Sequence, residues 1–366
     1  MQVNSSDGTR GRRGRRVPDA PRDGAPGPSA RRRTTGLLVA LACLALMVAA
    51  SLLVGSQPLA PGQLVRALEA SLGLRDSAGL APDAVNIAGL RLVRTLLGLL
   101  VGAGLGVGGV LIQAVTRNPV AEPGILGINA GASFVVALAV SLGGAGSARG
   151  QVVLAALGAL VATAVILLIG HTTGSTADPA RLTLVGVALG AVLSGVVKAL
   201  ELLDPEGFTA MLAWESGSFE QRGMDAVVAC APLVLVGLAA ACALSGRLDA
   251  LALGDELAAA LGTNLVLVRV AAVLTIAALV GGATALAGPI LFVGLMVPHV
   301  VRWTTGPDHR RIIADCIVLG PALVLAADVI ARVVVRPGEM PVGVTTSFIG
   351  APVLIRLVRR SRGVSL

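Results

Sequence analysis

The chain of 366 residues is 55% hydrophobic and 14% charged, and its 29 Lys plus Arg against 21 Asp plus Glu give a formal net charge of +8. A mean hydropathy of +0.84 excludes an ordinary soluble domain, which cannot bury so much apolar chain around one core. The charge would suit phosphate binding, but aromatic residues make up 2% of the chain and tyrosine is absent, so nothing stacks on bases and no nucleic-acid partner is expected.

Residues 1–35 are rich in Arg, Gly, Pro, Asp and Ser and carry nine arginines without an apolar period. This composition predicts a disordered basic tail. Apolar spans of the length a bilayer core requires follow near 36–56, 91–115, 125–142, 151–170, 181–203, 225–245, 269–287, 289–305, 312–335 and 342–358. They predict an all-α polytopic membrane protein with about ten transmembrane helices over 36–360 and a short tail at 361–366. GSQPLAPG, at 55–62, is a poor cleavage site, so the first span is expected to be kept as a helix rather than removed as a signal.

Basic residues are retained on the cytoplasmic side. With the amino terminus inside, twenty arginines fall on inner segments and eight on outer ones, and the loop from Asp204 to Asp225 is mainly acidic and outside. Both termini are predicted to be cytoplasmic. The arginines flanking the first span also suit anionic membrane lipid.

Several motifs are absent or carry no chemistry. The single lysine, Lys198, lacks a surrounding G-x-x-x-x-G-K-[ST], so this chain is not expected to hold nucleotide itself. GAGLGVGG at 102–109 contains a G-x-G-x-x-G, but it lies inside an apolar span with neither a preceding strand nor a later carboxylate; close helix packing through small residues is the reading. Cys43, Cys230, Cys242 and Cys316 and the three histidines are scattered, so no metal site and no cofactor are expected. Asp315 and Asp328 sit inside spans, where charge must face protein or water. Lys198 and Glu201 stand three residues apart and are expected to pair. AEPGILG at 121 and AGPILFVG at 287 faintly suggest two related halves.

The order of six short blocks from Gly254 onward is distinctive: LGDELAAALG, AGPILFVGLMVPHVVR, GPDHRR, LAADVIAR, GEMPVGV and IGAP. Together with RLVRTLLGLLVGAGLGVGGVLIQAVTRNPVAEPGILGINAGASF from Arg91 to Phe134, they resemble the FecCD family of permeases, the membrane subunits of ABC importers for iron-siderophores, haem and cobalamin. The resemblance covers roughly residues 36–360; Val93 departs from it, since many members have proline between the two arginines. It implies a type II ABC importer permease fold in a bacterial cytoplasmic membrane, acting without covalent chemistry. The implied partners are separate ATPase subunits that bind and hydrolyse ATP, a second permease subunit, identical or related, and an extracytoplasmic substrate-binding protein that a GC-rich bacterium would anchor by lipid. Ferric siderophore is the cargo most of the family handles, with cobalamin or haem as the alternative. Arg91, Arg94 and Arg332 match motif positions that meet carboxylates of the binding protein, and Asp328, one turn from Arg332, is a second candidate partner for it. The segment 246–268, broken at Gly254 and Gly262, is read as two short cytoplasmic helices. The resemblance makes it the coupling element toward the ATPase, with Gly254, Asp255, Glu256, Leu261 and Gly262 at its centre. An ion-coupled secondary transporter, the rival class, would need more charge in mid-span than this chain carries.

Overall fold

A computed structural model describes residues 30–361 except 56, 75, 77–78, 144–146, 172–178, 206–208, 221 and 337. The tail expected over 1–35 lies outside these up to residue 29, and the expected tail at 361–366 lies almost wholly outside them. Thirteen α-helices are described: α1 Ala30–Leu53, α2 Pro61–Ser71, α3 Pro82–Thr116, α4 Ile128–Ser141, α5 Ala148–His171, α6 Pro179–Leu203, α7 Thr209–Glu215, α8 Met224–Ala252, α9 Asp255–Ala260, α10 Leu265–Ala287, α11 Val293–Thr305, α12 His309–Val334 and α13 Val342–Ser361. Seven are long and apolar enough to cross a membrane, namely α1, α3, α5, α6, α8, α10 and α12, while α4 and α13 are shorter apolar helices.

Helices thus occupy all ten expected spans. The differences lie at their ends. α1 starts at Ala30, because the three arginines at 31–33 are good helix formers and extend the span toward the inner surface. α3 starts nine residues before Arg91, with Pro82 in its first turn and Asp83 against the helix dipole. The expected pair of helices over 246–268 is one: α8 continues to Ala252, and only α9 is separate. α2 and α7 are short amphipathic additions that hydropathy alone does not mark.

α3 is the centre of the bundle. Of its most apolar window 83% is buried, against 11% for α1 and 17% for α6, which leaves those two helices largely facing outward. α12, α10, α8 and α11 surround α3, while α4 packs between α5 and α6. The small-residue run at 102–109 explains how so many helices reach one axis. A Cβ on Gly102 would lie 2.5 Å from the backbone of Pro321, one on Gly320 would lie 2.2 Å from the carbonyl of Gly102, and one on Gly109 would lie 1.8 Å from the carbonyl of Gly294. Backbones in van der Waals contact supply the association that hydrophobic burial cannot provide inside lipid.

The two similar segments at 121 and 287 fold alike. Glu122 leads into a 3₁₀ turn, Pro123–Leu126, and Gly127 at φ 67° starts α4; Gly288 and Pro289 interrupt the chain, and Phe292 at φ 70° starts α11. Each is a stretch without α-helical pairing ahead of a short helix of 14 or 13 residues. The two meet at Gly294, where an added Cβ would lie 3.0 Å from Pro123. Irregular backbone of this kind survives at membrane depth only when wrapped in protein, and both stretches are largely buried.

Gly109→Ala is expected to destabilise the bundle by about 3 kcal/mol, since the added methyl meets the backbone of Gly294, where no side chain can rotate away. Gly62→Ala, in the exposed α2 where nothing lies within 4 Å, is expected to leave the melting temperature of detergent-purified protein unchanged or slightly raised. Equal melting of the two variants would refute this account of α3.

Candidate functional site

The candidate side chains gather at the two ends of the bundle. At the outer end, α1 stops at Leu53 and its last carbonyls lack helical partners. Arg91 of α3 donates from Nη1 to the carbonyls of Leu52 (2.8 Å) and Leu53 (3.0 Å) and from Nη2 to that of Gln57 (2.6 Å). Arg332 of α12 donates from Nη1 to the carbonyls of Ser51 (3.0 Å) and Val54 (3.1 Å), and from Nη2 to the Ser51 hydroxyl (2.9 Å). Arg336 donates to the Gly55 carbonyl at 2.7 Å. Three guanidiniums therefore cap the negative end of one helix dipole.

Asp328, fully buried, sits behind the cap. One of its oxygens pairs with Arg332 at 2.6 Å and the other with Arg94 at 2.9 Å, and Arg94 also reaches Glu339. Of the three arginines proposed from the sequence, Arg94 and Arg332 share this carboxylate, which the sequence offered as a second candidate partner for Arg332, while Arg91 joins Arg332 on the end of α1. Arg91 and Arg332 are 3% and 2% exposed, with their guanidiniums turned inward onto α1. In this chain by itself they shape the outer rim rather than project from it. Arg94, with Glu339, is the member of the set closest to the surface.

At the inner end, Gly254 at φ 106° and Gly262 at φ 78° bracket α9, conformations that L side chains adopt only with strain. Asp255 opens α9 and receives Arg269 of α10 at 2.8 and 2.9 Å. Arg117 reaches the same carboxylate and also donates to the carbonyl of Leu251 at 3.1 Å. Burial alone would raise the Asp255 carboxyl, but the guanidiniums of Arg269 and Arg117 hold it below the usual carboxylate range. These bonds fix α9 to the ends of α3, α8 and α10. Only Ala258 turns inward, while Glu256 is exposed and Leu253, Leu257 and Leu261, before, within and just after α9, are all uncovered. Sequence reasoning named Asp255, Glu256 and Leu261 but not Arg117 and Arg269, which it had used only to set the topology.

Between α3 and the 3₁₀ turn stands Glu122, unremarked in the sequence. One of its carboxyl oxygens is buried without a hydrogen-bond partner, and desolvation pushes the group up to about 7. Lys198 and Glu201 do pair, at 2.6 Å, with Glu215 of α7 adding a second carboxylate at 3.8 Å. Asp315 accepts from the hydroxyl of Thr305.

Two outcomes are expected. Asp328→Asn strips the charge from between Arg94 and Arg332 and should cost about 3–5 kcal/mol, read as loss of monodisperse protein after detergent extraction; Lys198→Gln, at an exposed pair, should cost less than about 1 kcal/mol. For Glu122 the folded state holds its proton more tightly than the unfolded state. Stability is therefore full below pH 4.5 and is lost as pH rises through about 7. Glu122→Gln should accordingly raise stability by about 3 kcal/mol at pH 8 and by less than about 1 kcal/mol at pH 5. Parallel melting curves of variant and parent across that range would overturn the assignment.

The sequence profile described as the FecCD transport family matches residues 43–360. The chain is 45% identical over 320 residues to the ferric enterobactin transport system permease protein FepD of Escherichia coli (strain K12), covering 87% of this chain and 93% of that one. It is 40% identical over 279 residues to the Fe(3+)-citrate import system permease protein YfmD of Bacillus subtilis (strain 168), covering 76% and 82%. Among solved structures, a metal-chelate type ABC transporter in an inward-facing conformation superposes with a TM-score of 0.76 at 27% identity, over 89% of this chain and 99% of that one.

Proposed function

The chain belongs to the FecCD transport family, and we propose that it is the permease subunit of an ATP-binding-cassette importer that carries a ferric siderophore across the cytoplasmic membrane of a bacterium. The observation that carries this reading is coverage: the relative named for ferric enterobactin aligns along nearly the whole helical body, both broken-helix segments included, rather than at one motif.

The rest of the machine follows from where the surfaces lie. Leu253, Leu257 and Leu261 around Glu256 are uncovered on the inner side, outside the apolar spans. A separate ATPase subunit seated there would bury them, and α9 would pass that subunit's movement through Asp255, Arg117 and Arg269 to three spans at once. On this reading the chain holds no nucleotide and no cofactor, and ATP is hydrolysed by the partner. On the outer side, Arg94 and Glu339 mark the rim over the α1 cap, where an extracytoplasmic substrate-binding protein, lipid-anchored in some bacteria, would dock. Arg91 and Arg332 would then serve docking by holding that rim in shape.

A cavity of about 590 Å³ beside α7 and α13 is lined by Glu215, Ser216, Leu291, Ser347 and Phe348 among others. Phe348 is 72% exposed, an unusual position for the ring of a chain with five phenylalanines. A second permease subunit, identical or related, closing over this face would turn the half-open cavity into a passage with polar hydroxyls and few charges. Such a passage binds a chelate weakly enough to release it. Transport then needs only a shift between outward and inward states, driven by partners that contact the two states differently.

Uptake of radiolabelled ferric catecholate, ferric hydroxamate, ferric citrate, haem and cobalamin in a strain lacking the chain, with and without complementation, tests the cargo. A ferric siderophore should be lost and restored while cobalamin and haem are untouched; loss of cobalamin or haem uptake alone would replace the proposed cargo. For the inner surface, Leu257→Arg should lower substrate-stimulated ATP hydrolysis of the reconstituted complex about tenfold or more without changing membrane insertion, and undiminished hydrolysis would remove α9 from the coupling path.

A further inference from the structure

Next to the coupling helix the inner surface holds a second cavity, of about 370 Å³, formed where α3, α8, α11 and α12 end or begin. Its lining includes Arg117, Arg302, His299, His309, Gln113 and Trp303, and no carboxylate. Asp255 stands behind Arg117 and Asp249 behind His309, whose Nδ1 is 2.7 Å from the Asp249 carboxylate. Neither acid reaches the cavity. Arg302 is the cation of this lining that no carboxylate meets. Its Nη1 donates to the Gln113 Oε1 at 2.5 Å, and Gln113 in turn donates to the carbonyl of Gly294 at 3.2 Å. That chain of bonds positions the guanidinium without neutralising it, and among the described residues Arg302 has no ion-pair partner. His299 is held edge-on by Trp303, ring centroids 5.2 Å apart at 76°, and neither of its nitrogens has a hydrogen-bond partner among the described residues. A half-buried cation positioned by an amide, next to an imidazole with free nitrogens, is a site prepared for an anion.

Depth and surroundings indicate which anion. Gln113 and Arg302 lie within one turn of the last residues of α3 and α11, which sets the cavity by the ends of its helices rather than in mid-span, where a phosphate headgroup would be met. Trp303, one of two tryptophans in the chain, is 55% exposed at its mouth, the placement that suits an indole between acyl chains and headgroups. Basic pockets between transmembrane helices on the cytoplasmic side favour acidic lipid headgroups. We propose that this cavity binds the phosphate of an anionic phospholipid, with Arg302 as its principal ligand, His299 and Arg117 flanking it, and Trp303 against the glycerol and upper acyl chain. Because Arg117 is shared with Asp255, a bound headgroup and the coupling helix draw on one guanidinium. The proposal does not depend on the cargo.

The test is native mass spectrometry of the full chain in mild detergent, titrated with phosphatidylglycerol or with phosphatidylcholine of the same acyl composition. Phosphatidylglycerol should be retained preferentially, and Arg302→Gln should weaken its retention roughly fivefold. His299→Gln, which breaks no hydrogen bond of the fold, should weaken it about twofold and keeps the proposal testable if the first variant does not fold. Arg66→Gln, at an exposed position on α2, should change nothing. Equal retention of the two lipids, or phosphatidylglycerol retention unaltered in both cavity variants, would overturn the proposal. Displacement of the lipid by millimolar inorganic phosphate would also overturn it and reassign the cavity to a soluble phosphate.

Discussion

Inside a bilayer, a carbonyl that has lost its helical partner finds no water, so each helix end and each break must be satisfied from within the protein. The outer end of α1 shows how far this constraint reaches. Arg91, Arg332 and Arg336 supply the donors, and behind them Asp328 pairs with Arg332 and with Arg94, which in turn reaches Glu339. α1, α3 and α12 are thereby joined at one point by charge rather than by apolar burial, which lipid would not reward.

The same constraint governs the middle of the molecule. The segments before α4 and α11 have abandoned helical pairing, and they are viable because α3 is bare enough for them to press against it. Gly109 admits the backbone of Gly294, and Gly294 admits Pro123. Density of packing at one glycine-lined helix is what lets the other helices be irregular. The resulting architecture keeps its charged clusters at its two ends, where partners would meet them, and its broken backbone at the centre.

What could be read from the sequence was whatever depends on composition over a long window. The ten spans, the two-sided distribution of arginine, the packing role of 102–109 and the Lys198–Glu201 pair needed only hydropathy and spacing. Helix ends were less legible: the start of α3 lies in PDAVNIAG, at 82–89, whose polar residues hide a first turn that opens on Pro82. The burial of Arg91 and Arg332 was illegible for a different reason. Their partners are carbonyls of α1 some forty and 280 positions away, and a backbone carbonyl leaves no mark in a sequence. Arg117 and Arg269 converge on Asp255 from opposite directions along the chain, 138 and 14 residues distant, so only the fold discloses that the polar loop is clamped rather than free. Glu122 escaped notice because its flanks, VAEPG, look like an ordinary turn.

The cap on α1 also has a mechanical meaning. The helix is fastened at its outer end by three guanidiniums, whereas its inner end meets the bundle through contacts such as that of Gly36 with Thr304 and stands beside an apolar hollow of about 590 Å³ bounded by Val39, Cys43 and Leu319. At 24 residues it is a rod about 36 Å long. With its outer end fixed, any tilt of this rod pivots at the outer rim, and one of about 5° would sweep its inner tip through about 3 Å.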